Sequence, residues 1–124
     1  MKRKGSCLCG HVSFEVEGPP TVTGLCHCSD CRKATGSAFL AYGQWPSARF
    51  AVTGDFSTFD GRSFCTRCGS RLFHINEHHV GVNLGSLDDA PFELAPQRES
   101  WVKRREPWLV PVPATTQHRE DPQN

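Results

Sequence analysis

The sequence lacks several features that would indicate common functional classes. It has no long apolar run, internal repeat, heptad pattern or P-loop. Its basic start, Met1–Lys4, is not followed by an apolar segment, so we expect neither a signal peptide nor a transmembrane helix. The formal net charge of only +1 does not give the broad positive field that nucleic-acid binding usually needs. These absences predict a cytoplasmic protein with no membrane or nucleic-acid partner.

Cysteine is absent from most of the chain and is confined to three short groups. The seven cysteines are Cys7 and Cys9, then Cys26, Cys28 and Cys31, then Cys65 and Cys68. Because seven is odd, a closed disulfide framework would leave one thiol over, and a reducing cytoplasm favours metal ligands over disulfides. Four thiols fill one tetrahedral zinc site, and three form a second site with an open position. The sequence therefore predicts two zinc ions per chain.

Two pairings of the cysteines are compatible with their order. In the first, the two outer pairs share a structural ion and the central three cysteines hold another. In the second, a zinc ribbon forms from Cys28, Cys31, Cys65 and Cys68. Ribbon pairs are usually about 15–20 residues apart, whereas 33 residues separate these two. The spacing favours the first pairing and leaves the second open.

Length and composition predict one domain with a modest core. A chain of 124 residues with 37% hydrophobic residues fits a single domain. At this size about two thirds of the chain's surface is buried on folding, so metal crosslinks would add materially to stability. From Pro111 onward, proline, threonine, glutamine and charged residues dominate. We therefore expect a zinc-binding domain over residues 1–110 and a disordered tail over 111–124.

Alternating apolar and polar residues predict a series of short strands. One includes Val12, Phe14 and Val16, which are expected to face the core. We expect the preceding Cys7–Cys9 segment to be extended, with both sulfurs on one face. Further strand candidates begin near Thr21, Phe39, Arg49, Phe56, Ser63, Arg71 and Val80. Ser100–Arg104 is compatible with a last strand or a short helix, and we favour the strand. Arg32–Ala34 is expected to form a helical turn that Gly36 stops. Asp60-Gly61 predicts a hairpin turn.

The neighbours of the central cysteines are candidates for further roles. Four histidines are possible fourth ligands: His27, His74, His78 and His79. His27 lies between two ligands, so we expect its side chain to point away from their metal. Asp30 is expected to cap the turn. Arg32 and Lys33 either offset the negative charge of the cluster, hold a substrate carboxylate, or form a solvated face.

These motifs resemble those of the glutathione-dependent formaldehyde-activating enzyme family, also called the GFA or CENP-V domain family. The shared segments are Gly5–Gly10, Cys26–Lys33 with Gly36, Phe64–Ser70, Gly85–Asp88, Trp101 and Pro107-Trp108. The resemblance covers nearly everything before the expected tail. Where this chain has Glu99, many members have a histidine.

The resemblance implies an all-β, Mss4-like fold of small twisted antiparallel sheets stapled by zinc. It also implies the first pairing, with a structural zinc on Cys7, Cys9, Cys65 and Cys68, and a catalytic zinc on Cys26, Cys28 and Cys31. The activity that names the family joins glutathione and formaldehyde into S-hydroxymethylglutathione, and the reverse reaction is that of a carbon–sulfur lyase. Glutathione or another small thiol is then the expected co-substrate.

A zinc ion with three thiolate ligands and an open position has two possible uses. It can deprotonate a bound thiol, or it can polarise a carbonyl oxygen. Three thiolates donate much charge and weaken the ion as a Lewis acid, so thiol activation is favoured. The alternative function is a non-catalytic, zinc-stapled binding module that recognises a protein or a thiol ligand. A fully ligated second zinc would favour the module, whereas an exchangeable position would favour the enzyme.

Overall fold

The computed structural model describes residues 1–122 of the chain, which divide into two compact units. Unit 1 comprises Met1–Val22 and Gly43–Glu93. Unit 2 comprises Thr23–Tyr42 and the chain from Leu94 onward. Each unit therefore contains residues from two separate parts of the sequence.

Short strands account for most of the regular structure. The described residues contain the strands β1 (Lys2–Ser6), β2 (Ser13–Glu17), β3 (Val22–Cys26), β4 (Leu40–Pro46), β5 (Phe50–Thr53), β6 (Phe56–Phe59), β7 (Arg62–Cys65), β8 (Arg71–Ile75), β9 (His79–Asn83), β10 (Arg98–Ser100) and β11 (Thr116–Gln117). One α-helix, α1 (Ser29–Thr35), and 3-10 helices at Ser47–Arg49, Leu84–Ser86 and Val102–Arg104 complete the list. The mostly β content confirms the predicted all-β class. None of the described helices is long and apolar enough to cross a lipid bilayer.

Unit 1 is built from antiparallel strands. Strand β2 pairs with both β1 and β5, and β6 to β9 form an antiparallel meander. The β6–β7 hairpin turns at Asp60 and Gly61, whose φ angles are 50° and 78°. Two successive positive φ angles are the signature of a type I′ turn, so the Asp-Gly prediction is confirmed.

The core of unit 1 centres on Phe73 of β8. Its ring meets those of Phe14, Phe50 and Phe56 edge to face, at centroid distances of 5.7, 4.9 and 5.2 Å. Phe14 and Val16 are buried, as the alternation along β2 predicts. Each edge-to-face contact adds about 0.5–1.5 kcal/mol beyond the area that it buries. This core fixes the strands that carry the outer cysteine pairs.

Unit 2 contains parallel strand pairing, which the sequence pattern did not reveal. Strand β10 pairs in parallel with both β3 and β11. The register places Glu99 beside Leu25 and Ser100 beside Cys26. Strand β10 therefore supports β3 up to the first of the central cysteines.

The chain leaves β10 differently from the prediction. The strand favoured for Ser100–Arg104 is wrong beyond Ser100, because β10 ends there and Val102–Arg104 form a 3-10 helix, which is closer to the short-helix alternative. Trp101 between them has a left-handed φ of 56°. Its indole Nε1 donates to Asp121 Oδ1 over 2.6 Å, so a distant residue holds the conformation that breaks the strand.

The segment from Pro111, for which composition predicts a disordered tail, is hydrogen-bonded to unit 2 as far as it is described. Thr116 donates its amide to the carbonyl of Gln97 over 3.0 Å, and His118 donates to that of Glu99 over 2.8 Å. The open edge of β10 thus supplies backbone partners that a polar composition does not reveal. Residues 123 and 124 of the predicted tail lie outside the described residues.

Candidate functional site

The outer cysteine pairs come together in unit 1. The sulfurs of Cys7, Cys9, Cys65 and Cys68 all lie within 4.8 Å of one another. Cys7 Sγ is 3.6 Å from Cys9 Sγ, and Cys9 Sγ is 3.8 Å from Cys65 Sγ. Four sulfurs around one zinc at 2.3 Å are about 3.8 Å apart. The donor set therefore fits a tetrahedral zinc ion.

Two tight turns present these sulfurs. The expectation of an extended Cys7–Cys9 segment is wrong: Gly10 donates its amide to the Cys7 carbonyl over 3.0 Å and closes a turn. Gly69 likewise donates to the Cys65 carbonyl over 2.9 Å. Both glycines have positive φ angles, 82° and 77°, a conformation that only glycine adopts without strain.

Hydrogen-bond donors lie beside three of these four sulfurs. The amide of Val12 donates to Cys7 Sγ over 3.2 Å, and that of Arg67 donates to Cys65 Sγ over 3.3 Å. The Ser70 hydroxyl lies 3.2 Å from Cys68 Sγ and lowers the pKa of Cys68 to about 5. Thiolate is the form that binds metal, so the surroundings of Cys68 suit a metal ligand.

The central cysteines form a second cluster in unit 2. The sulfurs of Cys26, Cys28 and Cys31 all lie within 4.8 Å of one another, and all three residues are half-buried. Cys26 ends β3, Cys28 is the N-cap of α1, and Cys31 lies in the first turn of α1. The Cys31 amide donates to Cys28 Sγ over 3.2 Å. The thiol of Cys28 therefore takes the capping role that the sequence assigned to Asp30, which is exposed.

The three thiols affect one another's ionisation in opposite directions. A hydrogen bond with Cys31 lowers the pKa of Cys26 to about 5. The same hydrogen bond raises the pKa of Cys31 above its ordinary range. Sulfurs this close cannot all ionise unless a cation offsets their repulsion. The cluster is thus suited to a cation with an affinity for thiolates, such as zinc.

The short helix holds the second and third of these cysteines in register. Its last turn ends at Gly36, which has a φ of 64° and donates its amide to the Arg32 carbonyl. This left-handed C-cap confirms the predicted stop. In unit 2, within the described residues, no histidine or carboxylate joins the three sulfurs. Three protein ligands leave one position of a tetrahedral ion open.

The candidate histidines do not supply that fourth ligand from unit 2. His27 is buried, and its Nε2 lies 2.8 Å from Glu99 Oε1, which agrees with the expectation that it points away from the metal. His74, His78 and His79 belong to unit 1, on or beside the β8–β9 hairpin.

A cationic cleft of about 380 Å³ adjoins α1. Its lining residues are Ser29, Arg32, Lys33, Ser37 and Arg104. Arg32 is already engaged, since its Nη2 lies 3.0 Å from Glu106 Oε2 and its Nη1 donates to the Arg104 carbonyl over 3.1 Å. Within residues 1–122, no carboxylate lies within 4.0 Å of Lys33 or of the Arg104 side chain. These two cations are therefore available to an anionic ligand.

Sequence reasoning did not predict the structural roles of three residues that shape the clusters. Ser70 contacts Cys68, Arg104 lines the cleft, and Glu99 holds His27. Ser70 lies two positions after a ligand, a local signal that could have found it. Glu99 and Arg104 lie at least 68 positions from the central cysteines, and nothing in one sequence joins them. The structure groups the cysteines as the first of the two pairings does.

Fold and site together define a small, mostly β protein with two cysteine clusters, each able to hold a metal ion. A family model described as "Glutathione-dependent formaldehyde-activating enzyme" matches residues 2–104. The chain belongs to this family.

Two individual proteins illustrate the similarity. A Halomonas elongata protein named "Putative glutathione-dependent formaldehyde-activating enzyme" is 27% identical over 135 residues, which cover 96% of this chain and 86% of that protein. The crystal structure of a Rhodobacter sphaeroides protein is similar with a TM-score of 0.56 and 25% identity. That match covers 75% of this chain and 97% of the other.

Proposed function

We propose that this protein is a zinc-dependent enzyme of the carbon–sulfur lyase type that acts on a thiol–aldehyde adduct. The observation that carries the proposal is the three-cysteine cluster, whose sulfurs lie within 4.8 Å and have no fourth side-chain donor from the described part of unit 2. Catalytic zinc sites keep a position for substrate, whereas structural sites are closed. We accordingly assign a structural ion to the four-cysteine cluster and the catalytic role to Cys26, Cys28 and Cys31.

The proposed reaction needs no oxidant or reductant. In the synthetic direction, the sulfur of a thiol forms a bond to the carbonyl carbon of an aldehyde. The carbonyl π bond breaks, its oxygen takes up the proton that the thiol lost, and a hemithioacetal results, which for formaldehyde carries an S-hydroxymethyl group. The reverse reaction breaks the same C–S bond. Zinc, when bound, supplies the Lewis acidity that favours the thiolate form of the substrate at neutral pH.

The cleft beside α1 is suited to the rest of such a substrate. Lys33 and Arg104 place two exposed positive charges there, and a carboxylate is the group they would attract from a small anionic thiol. Arg32, which is paired with Glu106, also lines this cleft. The family description and the name of the Halomonas relative support glutathione as the thiol and formaldehyde as the aldehyde. Seven free thiols suit a reducing compartment, so we assign the protein to the cytoplasm.

Exchange spectroscopy by NMR tests the proposal directly. The adduct forms spontaneously, so the exchange rate between free glutathione and its hydroxymethyl adduct is compared with and without protein. We expect the wild type to exceed both the uncatalysed rate and the rate with Cys28→Ser. Ser57→Ala, at an exposed position on β6, serves as the matched control and should retain the wild-type rate.

The alternative, a non-catalytic zinc-stapled binding module, predicts a different result. In that case the protein would not accelerate exchange with any thiol. For a module that recognises a protein, added thiol would also leave the spectrum of the cobalt-substituted three-cysteine cluster unchanged. Both results together would replace the enzyme proposal by the binding module.

A further inference from the structure

The carboxylate of Glu99 connects two separate parts of unit 2. Its side chain is only 1% exposed. Oε1 accepts a hydrogen bond from His27 Nε2 over 2.8 Å, while Oε2 accepts from the Val112 amide over 2.8 Å and from Gln117 Nε2 over 3.0 Å. Arg105 Nη1 lies 3.7 Å from Oε1. One buried carboxylate thus holds both the Cys26–Cys28 turn and the segment 112–117.

The surroundings of Glu99 favour its ionised form. Burial raises its pKa, but the hydrogen bonds from Gln117, His27 and the Val112 amide outweigh that effect and leave the pKa below its ordinary value. An ionised carboxylate only accepts hydrogen bonds, and all three groups around it are donors. The geometry is therefore satisfied by Glu99 as a carboxylate.

The buried ring of His27 holds the backbone between Cys26 and Cys28 in place. Its side chain is 1% exposed, and its Nδ1 has no hydrogen-bond partner in the described part of the chain. Nε2 is therefore the ring atom through which His27 is held, and it is held by Glu99. The ring thus makes one hydrogen bond, and that bond is to Glu99.

The backbone reinforces the same attachment. The His27 amide donates to the Ser100 carbonyl over 3.1 Å, and Ser100 pairs with Cys26 in the β3–β10 register. Rotation of the backbone at His27 would separate the Cys26 and Cys28 sulfurs. The hydrogen bonds to the amide and to the ring of His27 therefore restrict that rotation.

We propose that Glu99 is a positioning residue of the three-cysteine cluster. Acting through His27, it holds the Cys26–Cys28 turn against the segment 112–117. The geometry of the three sulfurs then depends on that segment. The inference depends on one part of the proposed function, namely that the cluster holds a metal ion, and not on turnover. Groups that orient a ligand set from outside typically alter metal affinity by about 10–100-fold.

Three variants test the inference by the rate at which zinc passes to a coloured chelator. Glu99→Gln keeps the size of the side chain but offers one acceptor oxygen to three donors, so we expect zinc to leave the three-cysteine cluster about 10-fold faster. Gln117→Ala removes one donor at an exposed position and should accelerate release by a few-fold without unfolding. Glu120→Gln removes a different carboxylate from the same segment, one that pairs with Lys103, and should match the wild type.

The two clusters are distinguished within the same experiment. Cys28→Ser should lack the fast release phase, which assigns that phase to the three-cysteine cluster. In cobalt-substituted protein, Glu99→Gln and Gln117→Ala should alter the thiolate-to-cobalt bands of this cluster and leave those of the four-cysteine cluster unchanged. A role in general stability alone would accelerate both phases together.

Two outcomes would overturn the inference. One is wild-type release from both Glu99→Gln and Gln117→Ala. The other is equal acceleration of the two phases with a matching loss of thermal stability. If Glu99→Gln releases zinc selectively but the wild type does not accelerate adduct exchange, the proposed function fails and the positioning role stands.

Discussion

The amide of Leu8 donates a hydrogen bond to the Ser70 hydroxyl over 2.8 Å, across 62 positions of sequence. The same hydroxyl lies 3.2 Å from Cys68 Sγ. Ser70 therefore connects the first cysteine turn of unit 1 to the second without needing a bound metal ion.

Replacement of Ser70 by alanine should weaken unit 1. The change leaves the Leu8 amide without its partner and removes a hydrogen bond from the Cys68 sulfur, so we expect a loss of about 1–2 kcal/mol in the free energy of unfolding. Urea titration of the zinc-loaded protein measures the difference. Ser57→Ala, exposed on β6, should change stability by less than about 0.5 kcal/mol. Equal midpoints for both variants would contradict the bridging role.

The two clusters should differ in what their loss does to the fold. Cys65→Ser removes a ligand from the proposed structural ion, and structural zinc binding contributes folding energy of about 10–16 kcal/mol in peptide models. We expect this variant to be unfolded at 25 °C by circular dichroism. Cys28→Ser should remain folded and lose only the second ion. Retention of the native melting temperature by Cys65→Ser, together with unfolding of Cys28→Ser, would reverse the assignment.

Metal content should be two ions per chain, lost in sequence. Native mass spectrometry of protein purified without chelator should count both, and graded chelator should remove the ion of the three-cysteine cluster first because its open position admits a competing ligand. The freed thiols should then react readily with iodoacetamide. A single ion in fresh, unoxidised protein would contradict the two-site reading.

The cationic cleft should select for anionic thiols. Lys33 and Arg104 are exposed, so each contributes at most about 1 kcal/mol to binding a carboxylate. Each alanine variant should raise KM for glutathione about threefold, and the double variant about tenfold. KM for uncharged 2-mercaptoethanol should stay unchanged, and Lys2→Ala should behave as the wild type. Equal effects on both thiols would contradict a carboxylate contact.

The left-handed cap of α1 offers a matched pair of glycine substitutions. A Cβ at Gly36 or at Gly85 would meet no atom within 4 Å, but only Gly36 has a positive φ, of 64°. Gly36→Ala should therefore lower stability by about 1 kcal/mol through backbone strain alone. Gly85→Ala should leave the melting temperature unchanged or slightly higher. Thermal denaturation measures the melting temperatures of both variants, and equal melting temperatures would contradict the predicted strain at Gly36.

The sequence predicted features whose causes are local. The Asp60-Gly61 turn and the Gly36 stop depend on the conformational preferences of one or two residues, and the three cysteines of the central cluster lie within six positions. Alternation also identified Phe14 and Val16 as buried residues.

Long-range partners account for what the sequence did not predict. The buried carboxylate of Glu99 is stabilised by hydrogen bonds from His27, Val112 and Gln117. Hydrophobic periodicity cannot predict a contact between such distant residues. The left-handed φ of Trp101 depends on bonds to residues 120 and 121. The segment from Pro111 pairs because β10 presents a free edge, which composition cannot show.

The parallel pairing of β3 with β10 has a consequence for the order of events during synthesis. All four cysteines of unit 1 have left the ribosome once residue 68 has emerged. The hydrogen bond between His27 and Glu99 forms only after residue 99 has also emerged. At a synthesis rate of about 5–20 residues per second, that interval is about 2–6 s. The nascent chain can capture its first metal ion in unit 1 while the thiols of Cys26, Cys28 and Cys31 are still without their supporting strand.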